Sequence, residues 1–288
     1  MMISKQFFNA HYWNGHCDPR VVNQWLMHNG PYKLLVISII YLLAIYFGVQ
    51  WMQHRKPFAI RMPMFMFNVL LVVLNLYFFY ESFWWTNYGR DLLNFHFPSP
   101  FDSSERSHSI ISLYYYYQIS KFIDYMDTVF LVLRKKNDHI TVLHVYHHVS
   151  VPIVGWFANW MSPTMPVLGL FAMLNSFCHM LMYTYYSLAA LGGHHVRPYL
   201  RWKRYITCLQ LLQFLILGLY GLYLNFRHID YPQLFRWLLI SQAIIYLIMF
   251  GNFYKRSYYN KQQIIIMNVV EFPIKSMAKF IDHYNIIV

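Results

Sequence analysis

Charged residues are scarce in this sequence, and their scarcity excludes an ordinary soluble domain. Only 12% of the 288 residues are Asp, Glu, Lys or Arg, whereas 58% are hydrophobic. A soluble domain carries roughly 25% charged residues. Acidic residues are the scarcest, 11 against 23 basic ones, which gives a formal net charge of +12. Because the basic residues lie in short loops and not on one folded face, we predict a membrane protein and no nucleic-acid partner.

Cysteines, repeats and linkers are also few. The three cysteines, Cys17, Cys178 and Cys208, form no framework, and two lie in apolar stretches where Cys acts as a small apolar residue. We therefore expect no disulfide. The sequence has no internal repeat and no low-complexity linker, so residues 1–288 are predicted to form a single domain. The first 30 residues lack the order of a cleavable signal, and the first span is expected to direct insertion.

Long apolar stretches predict the fold class. A helix needs about 20 mostly apolar residues to cross a bilayer, and seven stretches have about this length. They lie at about 33–52, 64–85, 109–133, 140–160, 166–191, 205–226 and 234–254. The prediction is an all-α, polytopic membrane protein with seven transmembrane helices. The third, fourth and fifth spans carry polar residues and should be interior helices.

Basic residues predict how the helices are oriented. Lysine and arginine concentrate after the first, third and fifth spans and after the seventh, and such loops are usually cytosolic. The carboxyl terminus is therefore predicted to be cytosolic and the amino terminus to lie on the other side. Among these basic residues are Arg134, Lys135, Lys136, Lys203, Arg204, Lys255 and Arg256.

The fourth span carries three histidines, His144, His147 and His148. Their spacing of i, i+3 and i+4 places all three imidazoles on one face of a helix. Ionisable side chains within a membrane are energetically costly and usually face a functional interior. The cluster therefore predicts a site.

Polar residues of other spans are predicted to lie at a similar depth. With a rise of 1.5 Å per residue, His147 is roughly 10 Å from the cytosolic end of its helix. Asp127, Gln210 and Gln213 are at similar depths, Asp124 and Lys121 lie deeper, and His179 lies nearer the midplane. Four helices thus direct polar groups into one layer.

Structural roles remain open for several of these residues. Lys121 and Asp124 are three residues apart. They could merely neutralise each other as a buried ion pair, or they could take part in the chemistry. Gln210 and Gln213 could serve only to join helices by hydrogen bonds. Asn175, His179, Tyr183 and Tyr186 share one helical face, and tyrosines on such a face more often form a wall than a reaction centre.

Two kinds of chemistry use clustered imidazoles. A metal centre is one, because imidazole is a common ligand, and a single zinc could be held by His144, His148 and His179 with a carboxylate. The corresponding function would be a metal-dependent membrane lipid oxidoreductase, although the second HxxHH box of a di-iron enzyme is lacking. The other is metal-free catalysis, because neutral imidazole is a good nucleophile and a suitable acid–base group.

Four ordered motifs identify a resemblance that favours the second chemistry. They are KFIDYMDTVFLVLRKK (121–136), ITVLHVYHH (140–148), NSFCHMLMYTYYSLAALG (175–192) and RWKRYITCLQLLQF (201–214). Together they resemble the KxxExxDT, HxxHH, NxxxHxxMYxYY and TxxQxxQ patterns of the very-long-chain fatty acid elongase family. Asp124 stands where the family usually has Glu.

The resemblance implies a 3-ketoacyl-CoA synthase. Such an enzyme condenses a long-chain acyl-CoA with malonyl-CoA, releases CO2 and CoA, and lengthens the chain by two carbons. His147 matches the histidine taken to hold the acyl group, and His179 matches a second active-site histidine. The remaining motif positions in or near the catalytic chamber are His144, His148, Lys121, Asp124, Asp127, Gln210, Gln213, Asn175, Tyr183 and Tyr186.

The resemblance also implies a cellular setting. Six of the seven helices are expected to surround an acyl-chain tunnel, and the seven basic residues named above are placed to meet CoA phosphates. The expected location is the endoplasmic reticulum membrane with a luminal amino terminus. The expected partners are membrane lipid and the ketoacyl-CoA reductase, dehydratase and enoyl-CoA reductase of the elongation cycle, with homo-oligomers left open. No cofactor and no metal are expected.

Overall fold

The protein is a bundle of helices. A computed structural model describes residues 10–93, 102–161, 163–192, 196, 200–227 and 232–259. Its α-helices are α1 (Ala10–Gly15), α2 (Tyr32–Met52), α3 (Arg61–Trp85), α4 (Glu105–Ile123), α5 (Met126–Leu133), α6 (Val142–Met161), α7 (Pro166–Leu191), α8 (Lys203–Phe226) and α9 (Gln233–Tyr254). These ranges contain no β-strand, so the predicted all-α class is confirmed.

Five helices are long and apolar enough to cross a membrane. They are α2, α3, α7, α8 and α9 with its extension to Tyr259. The other two predicted spans are also helical: α6 covers most of 140–160, while α4 and α5 together cover 109–133. These helices carry the lysine, aspartates and histidines, which lower their hydropathy. A polytopic membrane protein is confirmed, and the count of seven spans stays a prediction.

The third predicted span consists of two helices, α4 and α5, separated by a short turn at Asp124 and Tyr125. Between α4 and α5, the N–H groups of Tyr125, Asp127 and Thr128 each bond to the carbonyl three residues back. This is the hydrogen-bond pattern of a tighter, three-residue turn, in which residues three apart come into line. Lys121, Asp124 and Asp127 have this spacing, so the tight turn directs them to one side.

The histidine helix lies inside the bundle. α4 packs on α6, α3 packs along α7, and α8 packs along α9, while α9 also contacts α6. Pro152 lies inside α6, four residues after His148. Because proline has no N–H, the His148 carbonyl loses its usual helical donor. The regular α6 hydrogen-bond ladder is therefore interrupted directly beside the histidine box.

The residues before α2 cover the end of the bundle opposite to the histidines. Trp13 makes edge-to-face contacts with Trp156 and Trp160, at centroid distances of 5.7 and 5.2 Å. The Trp156 indole donates to the Leu26 carbonyl, and the Trp160 indole donates to the Trp13 carbonyl. Burying these large rings with their N–H groups paired stabilises the contact between the amino-terminal segment and α6.

An ion pair fastens the same segment. The Arg20 guanidinium donates through two nitrogens to the Asp18 carboxylate, at 2.9 and 2.7 Å. It also donates to the hydroxyl oxygens of Ser107 at 2.8 Å and Thr164 at 3.2 Å, and to the carbonyl oxygen of Asp102 at 3.3 Å. The Arg20 and Asp18 side chains are only 7% and 1% exposed. Arg20 thus joins the amino-terminal segment to the start of α4 and to the α6–α7 connection.

Candidate active site

The three box histidines differ in exposure and in partners. His148 is buried, whereas His144 and His147 are partly accessible. The rings of His144 and His148 lie 4.4 Å apart, and those of His147 and His148 lie 5.5 Å apart. The three imidazoles therefore lie on one face of α6, as the spacing predicts. His148 is thus the most enclosed of the three box histidines.

His179 joins the cluster from α7. Its ring stacks on that of His147 with a centroid distance of 5.8 Å and an interplanar angle of 26°. His179 is 4% exposed, and its Nδ1 is buried without a hydrogen-bond partner among the described residues. A buried ring nitrogen with no partner is unusual in native proteins. It is therefore available to a group that enters beside His147.

Lys121 and Asp124 form a buried ion pair next to this nitrogen. The ammonium lies 3.2 Å from Asp124 Oδ2, and both side chains are 4% exposed. The same carboxylate oxygen lies 3.9 Å from His179 Nδ1, and the ammonium lies 4.7 Å from the centre of the Tyr117 ring. The ion pair neutralises its own charge inside the bundle, and the participation of Lys121 and Asp124 in the chemistry stays a prediction.

Asp127 and Tyr183 form a second polar contact between α5 and α7. The Tyr183 hydroxyl donates to Asp127 Oδ2 at 2.8 Å, and Tyr183 is fully buried. The Asp127 position depends on the tight turn described above. This contact brings together two residues that the sequence assigned to the chamber from different motifs.

Thr128 is a site residue that the sequence analysis missed. Its Oγ1 lies 2.7 Å from His144 Nε2 and 2.8 Å from the hydroxyl of Tyr41, which belongs to α2. Thr128 is fully buried and Tyr41 is 4% exposed. The chain Tyr41–Thr128–His144 fixes one nitrogen of His144. The signal was present for Thr128, which ends the KxxExxDT pattern, but Tyr41 lies in an apolar span without a motif.

Tyrosines supply further walls of the site. Tyr246 of α9 lies 5.8 Å from the His147 ring, and its hydroxyl lies 2.6 Å from Ser150 Oγ. Asn175 accepts a hydrogen bond of 2.6 Å from the Tyr117 hydroxyl, so it positions a wall residue of α4. Tyr246 was also missed, because nothing in its local sequence distinguishes it from a membrane-facing tyrosine.

Three further predicted residues, Gln210, Gln213 and Tyr186, form no hydrogen bond or ring contact with the imidazoles in the described structure. Gln210 Nε2 lies 3.9 Å from the sulfur of Met182. Gln213 is 2% exposed, and its Nε2 has no partner among the described residues. Tyr186 is 40% exposed and contacts the ring of Tyr183. The glutamines thus lie on the packed side of α8, while Tyr186 faces outward.

The predicted basic residues lie at the surface near the start of α6 and α8. Arg134 contacts the sulfur of Met64, and Lys135 donates to the carbonyls of Gln53 and Arg55. Arg204 packs over the ring of Tyr205. The remaining four are exposed: Lys136, Lys203, Lys255 and Arg256.

The described residues contain no metal-binding group, and two cavities open between neighbouring helices. Among the described residues, no three His, Cys, Asp or Glu side chains are arranged to hold a metal ion. A cavity of about 530 Å³ lies between α3 and α4, where apolar and aromatic side chains line it together with Glu81, Ser109, Ser112 and Ser120. A smaller cavity of about 30 Å³ borders Lys121 and extends between α4, α6 and α7.

Apolar helices around a cluster of four histidines define an integral membrane protein with a buried imidazole site. The GNS1/SUR4 family model matches residues 25–264. Very long chain fatty acid elongase 4 of Homo sapiens is 37% identical over 251 residues, which cover 85% of this chain and 77% of the relative. Very long chain fatty acid elongase 5 of Bos taurus is 38% identical over 256 residues, covering 88% and 83%.

The fish relative, very long chain fatty acid elongase 5 of Tachysurus fulvidraco, is 36% identical over 267 residues, covering 91% of this chain and 87% of its own. The chain belongs to the GNS1/SUR4 family. The resemblance to the very-long-chain fatty acid elongases, inferred from four motifs, is thereby confirmed.

Proposed function

We propose that this protein is the condensing enzyme of fatty acid elongation, a very-long-chain 3-oxoacyl-CoA synthase. It would join a long-chain acyl-CoA to malonyl-CoA and yield a 3-oxoacyl-CoA two carbons longer, CO2 and CoA. One observation carries the proposal. His147 is a partly accessible imidazole that stacks on His179, and His179 offers a buried nitrogen without a partner.

The chemistry follows from a neutral His147. Its unprotonated ring nitrogen attacks the thioester carbon, the C–S bond breaks, and CoA leaves as the thiolate, giving an acyl-imidazolium. Malonyl-CoA then loses CO2, and its carbanion forms a C–C bond with the acyl carbon. The N–C bond breaks and returns neutral imidazole, while the thiolate takes a proton from water. No bound cofactor is needed for these steps.

The neighbouring residues would stabilise the charge that develops. The His179 ring stacks on that of His147, and an N–H of this ring would donate to the oxyanion of the tetrahedral intermediate; such a donor is worth about 3–4 kcal/mol. The Asp124 carboxylate lies 3.9 Å from His179 Nδ1 and would favour a proton on the ring, while Lys121 keeps the pair without net charge in the bundle. Thr128 and Tyr183 would position His144 and Asp127.

The surroundings of the reaction remain part of the proposal. The basic residues at the surface would bind CoA phosphates, since lysine and arginine recognise phosphate well. The proposed location is the endoplasmic reticulum membrane, with the carboxyl terminus cytosolic. The ketoacyl-CoA reductase, dehydratase and enoyl-CoA reductase of the cycle would take up the product.

Intact mass spectrometry tests the acyl-imidazole. Purified protein is incubated with an acyl-CoA in the absence of malonyl-CoA, and the mass is measured before and after addition of malonyl-CoA. We expect a gain of one acyl group that peptide mapping places on His147, and its loss as 3-oxoacyl-CoA forms.

A matched pair of variants gives the control. His147→Ala should abolish both the mass gain and elongation, whereas His139→Ala, which removes an exposed histidine outside the box, should keep both. A His147→Ala protein that elongates at the wild-type rate would show that the nucleophile is another group. Stoichiometric metal and loss of activity with a chelator would favour the oxidoreductase alternative.

A further inference from the structure

The larger cavity lies between two helices that each pack mainly on other parts of the bundle. α3 packs along α7 and α4 packs on α6, and a groove of about 530 Å³ remains between α3 and α4. Pockets that hold small ligands have volumes of roughly 300–1,000 Å³. Tyr77 and Tyr116, one from each helix, line the groove and are 52% and 63% exposed. The groove therefore opens toward the outside of the bundle, which in a membrane protein is lipid.

The acidic end of the groove lies where α3 ends and α4 begins. Glu81 precedes the end of α3 by four residues, and Ser109 and Ser112 follow the start of α4 by four and seven residues. The Arg106 guanidinium donates to the Trp85 carbonyl, so these two helix ends meet. The carboxylate and the two hydroxyl groups thus lie near the same edge of the bundle.

The opposite end of the groove is apolar. Leu74, Ile119 and Ile123 line it there, and the nearby Ser120 hydroxyl donates to a carbonyl of its own helix. From Ser109 to Ile123 the groove follows fourteen residues of α4, or about 21 Å. One leaflet of a bilayer with its head groups is roughly 20–22 Å thick, half of the whole membrane. The groove therefore matches one amphiphile, with its polar end at the membrane surface.

Glu81 gives the polar end a negative charge. Its Oε2 accepts a hydrogen bond of 3.0 Å from the Trp85 indole, and the described residues contain no ion pair of Glu81. Arg106, the basic side chain at this end, pairs with Asp91 at 2.6 Å. No lysine or arginine lines the groove. An occupant with a positively charged head would complement this carboxylate.

Aromatic rings decide which positive charge fits. Tyr77 and Trp85 lie four residues before and four residues after Glu81, on the same side of α3, and Tyr116 faces the groove from α4. Aromatic rings attract cations, and quaternary ammonium groups are recognised in this way. A primary ammonium carries three N–H donors that need acceptors, whereas a quaternary ammonium carries none. A carboxylate among rings therefore favours the quaternary group.

We propose that the α3–α4 groove is a binding site for a phospholipid with a choline head group. The quaternary ammonium lies against Glu81 and the neighbouring rings, and an acyl chain of the lipid follows the apolar part of the groove. The lipid comes from the bilayer around the protein and is not a substrate. This site is independent of the proposed condensing reaction.

Native mass spectrometry with defined lipids tests the site. The purified protein in detergent is mixed with equal amounts of phosphatidylcholine, phosphatidylethanolamine and phosphatidylglycerol that carry identical acyl chains, and the retained lipid is identified. We expect phosphatidylcholine to be retained about tenfold over either of the others, as a desolvated cation on aromatic rings allows. Glu81→Gln keeps the size of the side chain and should abolish that preference. Tyr77→Leu should reduce it about threefold.

Two matched variants control for charge and for surface aromatics. Glu105→Gln removes an exposed carboxylate at the start of α4, and Tyr80→Leu removes a tyrosine of α3 that is 59% exposed; neither residue lines the groove. Both variants should retain phosphatidylcholine like the wild type. Equal retention of the three lipids, or a preference that persists in Glu81→Gln, overturns the site and shows that lipid only coats the apolar surface. Stronger retention of phosphatidylethanolamine overturns the choline assignment.

Discussion

Replacing Thr128 with valine removes the centre of a hydrogen-bonded chain without changing the shape of the core. The Thr128 hydroxyl oxygen lies 2.7 Å from His144 Nε2 and 2.8 Å from the Tyr41 hydroxyl. Valine fills nearly the same volume but cannot bond to either group. Both partners come from other helices: Tyr41 from α2 and His144 from α6.

The size of the effect follows from the burial of the partners. The Tyr41 hydroxyl is left buried and unpaired, which costs about 1–3 kcal/mol, while partly accessible His144 loses one bond of about 0.5–1.5 kcal/mol. We expect Thr128→Val to lower the free energy of unfolding by about 2–4 kcal/mol. Tyr41→Phe removes only the outer bond and should lower it by about 1 kcal/mol. Loss of His144 orientation should reduce kcat by up to about 100-fold.

Thermal unfolding in detergent and elongation with labelled malonyl-CoA measure the two effects. Thr184→Val is the control, because Thr184 bonds only to a carbonyl of its own helix, that of Met180. The expected order of damage is Thr128→Val, then Tyr41→Phe, then Thr184→Val. If Thr128→Val has the same unfolding temperature and elongation rate as Thr184→Val, the Tyr41–Thr128–His144 hydrogen bonds do not position His144.

Three further outcomes are expected elsewhere in the molecule. Arg20→Ala leaves the buried Asp18 carboxylate without its partner and should destabilise the protein by about 3–5 kcal/mol in thermal or chemical unfolding, with Arg20→Lys intermediate. A maleimide should label Cys208, which is exposed, and not Cys17, because burial raises the pKa of the Cys17 thiol to about 12; equal labelling would contradict the burial. Gly30→Ala should lower the unfolding temperature, since its φ is +92° and an added Cβ would lie 2.6 Å from an indole ring.

Most of the helices could be predicted because apolar length is a local property of the sequence. The span at 166–191 coincides with α7 at both ends, because Pro166 begins the helix and Gly192 caps its carboxyl end. The histidine face was equally predictable, since spacing alone sets which side chains share a side of a helix. Family motifs then associated His179 with that face.

The break between α4 and α5 could not be predicted in the same way. No proline or glycine marks it, and the three-residue bonds at Tyr125, Asp127 and Thr128 form where the helix packs against α2 and α6. Tyr41 and Tyr246 reach the histidines from helices that are distant in sequence: Tyr41 is 87 residues from Thr128. Contacts of this kind depend on tertiary packing and leave no periodic signal in the sequence.

The Arg20 contacts have a consequence for the order of folding. Arg20 is made early, but one of its hydrogen-bond partners, Thr164, follows 144 residues later. At a synthesis rate of about 5–20 residues per second, the guanidinium waits roughly 7–29 s before that partner exists. The amino-terminal segment therefore cannot close the bundle while the first helices insert. A ribosome-bound chain that stops before α7 should leave this segment open to protease, and the final closure should occur only after most of the membrane helices are in place.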